Sequence, residues 1–210
     1  MRKVLWMALL SLALPVAAWA NSSNVVFQNT GGNLVIGGTN AHPTLQLKNS
    51  VLTSFTGLNG ITHTGTLGTF NFSTTAMTSG SLASSGSFAG GSLTIMGKGS
   101  NGVANGVLFQ GSFSGPVKWV ASFNQSGFGG VGNWTYVLSG TVVGTLSNGA
   151  RATGGSVQFT FDVPKGQQFS SKVRLNHGVT TVTVPEPGTL GLLGTGLFTL
   201  AGLVRRKLPR

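Results

Sequence analysis

Val157-Gln158-Phe159-Thr160-Phe161-Asp162-Val163 places an apolar side chain at every second position, a period of two that suits an extended strand with one buried face. The same alternation runs through Val117, Trp119, Ala121 and Phe123 around Lys118 and Ser122, and through Trp134, Tyr136 and Leu138. Leu45-Gln46-Leu47, Phe70-Asn71-Phe72 and Leu93-Thr94-Ile95 are shorter pieces of the same kind. Gly, Ser, Asn and Thr punctuate these runs, and 34 glycines among 210 residues break up the windows in which a helix could grow. From Asn24 to Val184 the expected fold is therefore all-β, an antiparallel β-sandwich or jelly-roll-like barrel. Thirteen Phe and four Trp, with frequent Val and Leu, supply a core that a disordered Gly/Ser-rich chain would lack. Gly86-Ser87-Phe88-Ala89-Gly90 and Gly111-Ser112-Phe113-Ser114-Gly115 hint at duplicated hairpins.

The side chains available for chemistry are few. There is no Cys, which removes disulfides, thiol nucleophiles and thiolate metal sites. A body of roughly 160 residues buries well over half of its unfolded surface and can do without such staples. Its only carboxylate is Asp162, because Glu186 lies near the C-terminus. The paired carboxylates of glycoside hydrolysis are thus missing. No G-x-S-x-G elbow occurs either, since both Gly-Ser-Phe-x-Gly segments place Phe where the nucleophile belongs. Asp162 falls on the polar face of its strand and is expected to be solvated or paired with a nearby cation. His42, His63 and His177 have no close spacing that would specify a metal site. Gly97–Gly102 and Gly127–Gly132 both fit G-x-G-x-x-G, but strand-like sequence follows each, so both are expected to be turns. No catalytic, cofactor-binding or metal-binding residue is expected, and the chain is not expected to be an enzyme.

Two features of the body point outward. Lys48, Lys98, Lys118, Arg151, Lys165, Lys172 and Arg174 stand against Asp162 alone. These cations are scattered until the last three and show no basic stripe interleaved with aromatics, so no specific nucleic acid partner is expected. A basic surface of this kind suits anionic polysaccharide or lipid headgroups, with salt-sensitive attraction. Trp119, Trp134 and Tyr136 could stack on sugar rings. Their alternating positions would equally fill a core.

The two ends carry addresses. Met1-Arg2-Lys3 precedes the apolar run that begins at Val4, and Pro15 breaks that run before Ala18-Trp19-Ala20. A charged start, an apolar centre and an A-x-A cut site make residues 1–20 a signal peptide, forming a signal helix that signal peptidase removes between Ala20 and Asn21. Residues 21–184 are then the extracellular body. At the other end, Val184-Pro185-Glu186-Pro187-Gly188 leads into an apolar stretch over 189–204, followed by Arg205, Arg206 and Lys207 in a basic tail that ends at Arg210. As a transmembrane helix the stretch would reach about 24 Å, short of the roughly 30 Å hydrocarbon core. The basic cluster would stay cytoplasmic and stop translocation.

This order of Pro-Glu-Pro, apolar helix and basic cluster over 185–210 resembles a PEP-CTERM sorting signal. The resemblance implies recognition by an exosortase, a membrane cysteine protease of Gram-negative bacteria, with Pro185, Glu186 and Pro187 as the motif. It also implies an inner-membrane-anchored intermediate and final release or attachment at the cell surface. That family is associated with exopolysaccharide production and with biofilm or floc formation. The expected partners are signal peptidase, exosortase, the inner membrane transiently, and anionic exopolysaccharide. The expected role is a non-enzymatic surface or matrix protein; the alternative is a carbohydrate-binding module with a defined sugar site.

N-terminal sequencing of the exported protein should begin at Asn21. Ala20→Leu should leave the precursor uncut, visible as a larger mass.

Overall fold

The computed structural model describes residues 22–124, 132–164, 169, 173 and 175–185. Asn24–Val184 form a compact unit, and the buried apolar residues described run from Val25 to Val184, so the body carries its own core. No helix occurs among the described residues. The signal helix and the 189–204 helix expected from the sequence lie outside them.

The strands in chain order are β1 (Ser22–Thr30), β2 (Asn33–Gly38), β3 (Pro43–Thr56), β4 (Thr62–Thr74), β5 (Met77–Gly80), β6 (Ser85–Phe88), β7 (Gly91–Lys98), β8 (Asn105–Phe113), β9 (Val117–Asn124), β10 (Asn133–Leu146), β11 (Arg151–Ala152), β12 (Gly154–Pro164) and β13 (Leu175–Pro185). Eight of them close a ring in the order β1, β3, β4, β7, β8, β10, β12, β13 and back to β1. Thr183 Oγ1 donates to Asn24 Oδ1 (3.0 Å) and Thr30 Oγ1 to the Asn176 carbonyl (2.9 Å), which sets the β13–β1 seam antiparallel. Ring order equals chain order. The body is therefore an all-β antiparallel barrel, the second of the two expected forms and not the sandwich; its connectivity is up-and-down where a jelly-roll-like one was expected, since no strand returns across the ring as a Greek key requires.

The alternation read in the sequence turns one face of each strand inward. Phe159 of β12 packs edge-on against Phe70 (5.1 Å) and stacks on Phe72 (4.8 Å), both on β4, which stands opposite β12 in the ring. Phe27 of β1 meets Phe109 of the opposite strand β8 at 6.3 Å. Aromatic rings thus touch across the interior, and the barrel is packed with side chains.

Two long strands let additional strands branch from the ring. β3 pairs with β2 over Pro43–Lys48 and with β1 over Val51–Thr56. β10 pairs with β9 over Asn133–Ser139 and with β8 over Val142–Leu146. At the second changeover Phe113 packs over Gly140, where an added Cβ would lie 2.8 Å from its ring. The branch β9-β6-β5 ends in a four-residue edge strand that exposes three of its residues, a short edge of the kind that limits unwanted pairing. The two Gly-Ser-Phe-x-Gly segments are not duplicated hairpins, because β6 does not pair with β7, nor β8 with β9. Each one ends a strand where the chain crosses between ring and branch, with Phe88 and Phe113 buried there.

Phe159→Ala should cost about 3–5 kcal/mol, since it removes a ring from a fully packed interior. Urea denaturation measures this, and a loss below about 1 kcal/mol would mean that the barrel is not packed across its width.

Candidate functional site

The three aromatic residues singled out for sugar stacking part company in the fold. Trp119 on β9 is 0% exposed and Tyr136 on β10 is 3% exposed. They stack on each other at 5.3 Å in the core, with Phe169 at 4.8 Å from both. The Trp119 indole Nε1 donates to the Leu82 carbonyl (3.0 Å), so its polar atom is satisfied within the fold. Burial raises the Tyr136 pKa above 10.0, because the phenolate is poorly solvated there. Trp134 is only partly buried. It stands directly across from Phe123, 40% exposed, with the rings 5.2 Å apart. Phe123 and Trp134 therefore continue the inward face of the β9–β10 hairpin to the end of the barrel, where the core gives way to solvent.

A second surface lies on the outside of β3, β4 and β7. Here Gln46, Lys48, Asn71, Ser73, Ser92 and Thr94 line a shallow groove of about 420 Å³. Strand register builds it. Gln46 faces Ser73 and Ser73 faces Ser92 in one row, while Asn71 faces Thr94 in the next. The inward neighbours Leu47, Phe72 and Leu93 are core residues, and their burial turns the polar set outward. A bulge between Leu47 and Ser50 places Asn49 at φ +55°, and its N–H donates to Asn71 Oδ1 (2.8 Å). The amide is thereby held in place, as is the Ser73 hydroxyl by that of Ser92 (3.1 Å). Amides and hydroxyls that both donate and accept, one ammonium and no carboxylate make a surface suited to hydroxyl-rich, negatively charged chains.

Three of these groove residues, Gln46, Asn71 and Thr94, are visible in the sequence as the polar centres of Leu45-Gln46-Leu47, Phe70-Asn71-Phe72 and Leu93-Thr94-Ile95. Nothing in the alternation shows that three segments so distant along the chain become neighbouring strands.

The remaining titratable groups are dispersed. Asp162 accepts from the Thr135 hydroxyl (2.8 Å) and the Asn176 amide (2.7 Å) on the solvent side of the sheet. His42 Nδ1 lies 3.3 Å from the Met77 carbonyl, His63 stacks beside Phe55 at 6.2 Å, and His177 pairs with Thr160 on β12. Among the described residues no three His, Cys, Asp or Glu side chains come together as a metal site. Gly97–Gly102 turns β7 into β8, whereas 127–131 lie outside the described residues. Pro185 closes β13; Ala18, Ala20, Glu186, Pro187, Arg205, Arg206 and Lys207 also lie outside.

Residues 183–207 match the PEP-CTERM protein-sorting motif. The match runs from the end of the last strand through Pro185, Glu186 and Pro187 to the basic cluster at Arg205, Arg206 and Lys207. No curated protein and no solved structure matches the chain.

Tyr136 is the only tyrosine, so tyrosinate absorbance reports on it alone. Its titration midpoint should lie above 10.0. The stability that its burial provides should be whole below that pH and lost as pH rises through the raised folded value. A midpoint at or below the ordinary value would place the phenol in solvent.

Proposed function

From a chain that carries a PEP-CTERM sorting motif, and is therefore an exported substrate for exosortase processing, we propose a non-enzymatic surface or matrix protein of a Gram-negative bacterium. Its basic barrel associates with anionic exopolysaccharide, as in a biofilm. The observation that carries this reading is the outer groove. It offers fixed amides and hydroxyls around Lys48, on a body with seven Lys and Arg against the single carboxylate of Asp162. A polyanion meets long-range attraction and then hydrogen-bond partners, with no carboxylate in the groove to repel it. The absence of a second carboxylate in the body supports the non-enzymatic part, since acid–base hydrolysis of a glycoside needs two.

A carbohydrate-binding module with a defined site is the second reading, and the Phe123–Trp134 pair favours it. One exposed and one half-buried ring at the end of a barrel give a sugar the apolar contact that Trp119 and Tyr136 cannot offer from the core. The two readings differ in salt dependence. The groove works through charge, whereas ring stacking does not.

Co-sedimentation of the mature protein with the host's exopolysaccharide, at low and high salt, tests both. The matrix reading expects binding that salt abolishes and that Lys48→Gln weakens about threefold, the scale of one exposed ion pair. Binding that survives salt and is lost in Trp134→Ala would transfer the role to the aromatic pair. No binding at either salt would overturn both.

A further inference from the structure

One end of the barrel combines exposed apolar side chains with the points where the chain enters and leaves the body. There Val26 of β1 pairs with Thr56 at the end of β3, and Thr56 pairs in turn with Thr62 at the start of β4. Thr183, near the end of β13, lies beside Asn24 and across from Gly154. The chain therefore enters β1 and leaves β13 at the end marked by the β3–β4 loop. The β7–β8 turn joins it through Asn101 Nδ2, which donates to the Thr64 carbonyl (3.2 Å). The loop after β10 joins through the Ser147 N–H, which donates to Leu108 O (3.0 Å).

Large apolar side chains stand out of this end. The β3–β4 loop exposes Ile61 by 53% and Leu58 by 37%. Behind them a cleft of about 400 Å³ is floored by Phe55, which stacks on buried Phe27 (5.2 Å) on one side and on His63 (6.2 Å) on the other. Gly102 packs on the His63 ring, where an added Cβ would lie 2.6 Å from it. Cations accompany the apolar tips: exposed Lys98 closes β7 and exposed Arg151 opens β11. The body's only carboxylate is at the other end, where Asp162 is held by Thr135 near the start of β10 and by Asn176 near the start of β13.

We infer that this end is a lipid-docking face. Leu58 and Ile61 enter the interfacial layer of a bilayer, and Lys98 and Arg151 meet anionic headgroups around them. Apolar tips accompanied by cations, with the one carboxylate among the described residues at the opposite end, are the chemistry of an interfacial anchor. Connectivity favours the same surface, because β13 ends on this side of the body and the apolar stretch 189–204 follows it in sequence. Two side chains and two charges alone give weak, reversible docking. Covalent attachment to a membrane-bound segment would raise their effective concentration at the lipid and make such weak contacts count. The inference does not depend on the polysaccharide reading, since it uses other residues and another ligand.

The chain has no Cys, so single cysteines can carry an environment-sensitive fluorophore. The full chain labelled at Ile61→Cys, or at Ala83→Cys in the β5–β6 turn, is reconstituted into vesicles. One set is phosphatidylcholine alone and the other is phosphatidylcholine with phosphatidylglycerol. The expected result is a blue shift and quenching by lipid-borne quencher at position 61 and not at position 83. The response should be larger in anionic vesicles and fall at least twofold when Lys98→Gln and Arg151→Gln are combined. Equal signals at the two positions, or a label at 61 that stays in water, would overturn the docking face even if the chain ends hold the protein on the vesicle. An unchanged response on removing anionic lipid would overturn the role given to Lys98 and Arg151.

Discussion

Phe159 lying against Phe70 and Phe72, with Phe27 against Phe109, is the contact on which the rest of the molecule depends. Each pair joins strands that face one another across the ring, so the barrel is held through its interior as well as around its wall. Backbone hydrogen bonds alone would leave the diameter and the final seam poorly determined. Rings reaching from opposite walls favour the closed circumference at which they meet at packing distance. Closure then gives each of the eight ring strands a neighbour on both sides, which removes open edges from the ring. Among the described strands the short β2, β5 and β11 carry the edges that remain.

A filled interior also decides where a ligand can be met. Phe27, Phe70, Phe109 and Phe159 occupy the space that a hollow barrel would use for binding. Recognition is left to the outer wall and the two ends. The outer wall offers the groove around Lys48, where a bulge in β3 and the small side chains of Ser73 and Ser92 lower the surface between longer neighbours. The ends offer the Phe123–Trp134 pair on one side and the Leu58–Ile61 loop on the other. Polar wall and apolar rims follow from the same pleat, in which each strand turns alternate side chains in and out until the core stops.

Charge is distributed with the same economy of groups. With Asp162 as the sole carboxylate of the body, few ion pairs are possible, and hydroxyl and amide contacts such as Ser114 to Thr141 and Thr183 to Asn24 tie exposed strands together. Such contacts leave Lys and Arg available for external anions.

The sequence by itself determined what is local and linear. The period of two in Val157–Val163 specified strands because side-chain alternation is a property of the extended backbone, independent of any neighbour. The sorting motif at 183–207 was equally legible, because its parts are ordered along the chain. Tertiary structure alone decided the rest. Alternation says that Trp119, Trp134 and Tyr136 share a face, but how far the core extends along the barrel decides which of them reach solvent. A sandwich, a jelly roll and an up-and-down ring use the same strands, and only pairing between distant segments distinguishes them, down to Asn24 beside Thr183. The groove is the plainest case. Gln46, Asn71 and Thr94 are three unremarkable polar residues until long-range register places their strands side by side, and register is an energy of the whole sheet that no single segment contains.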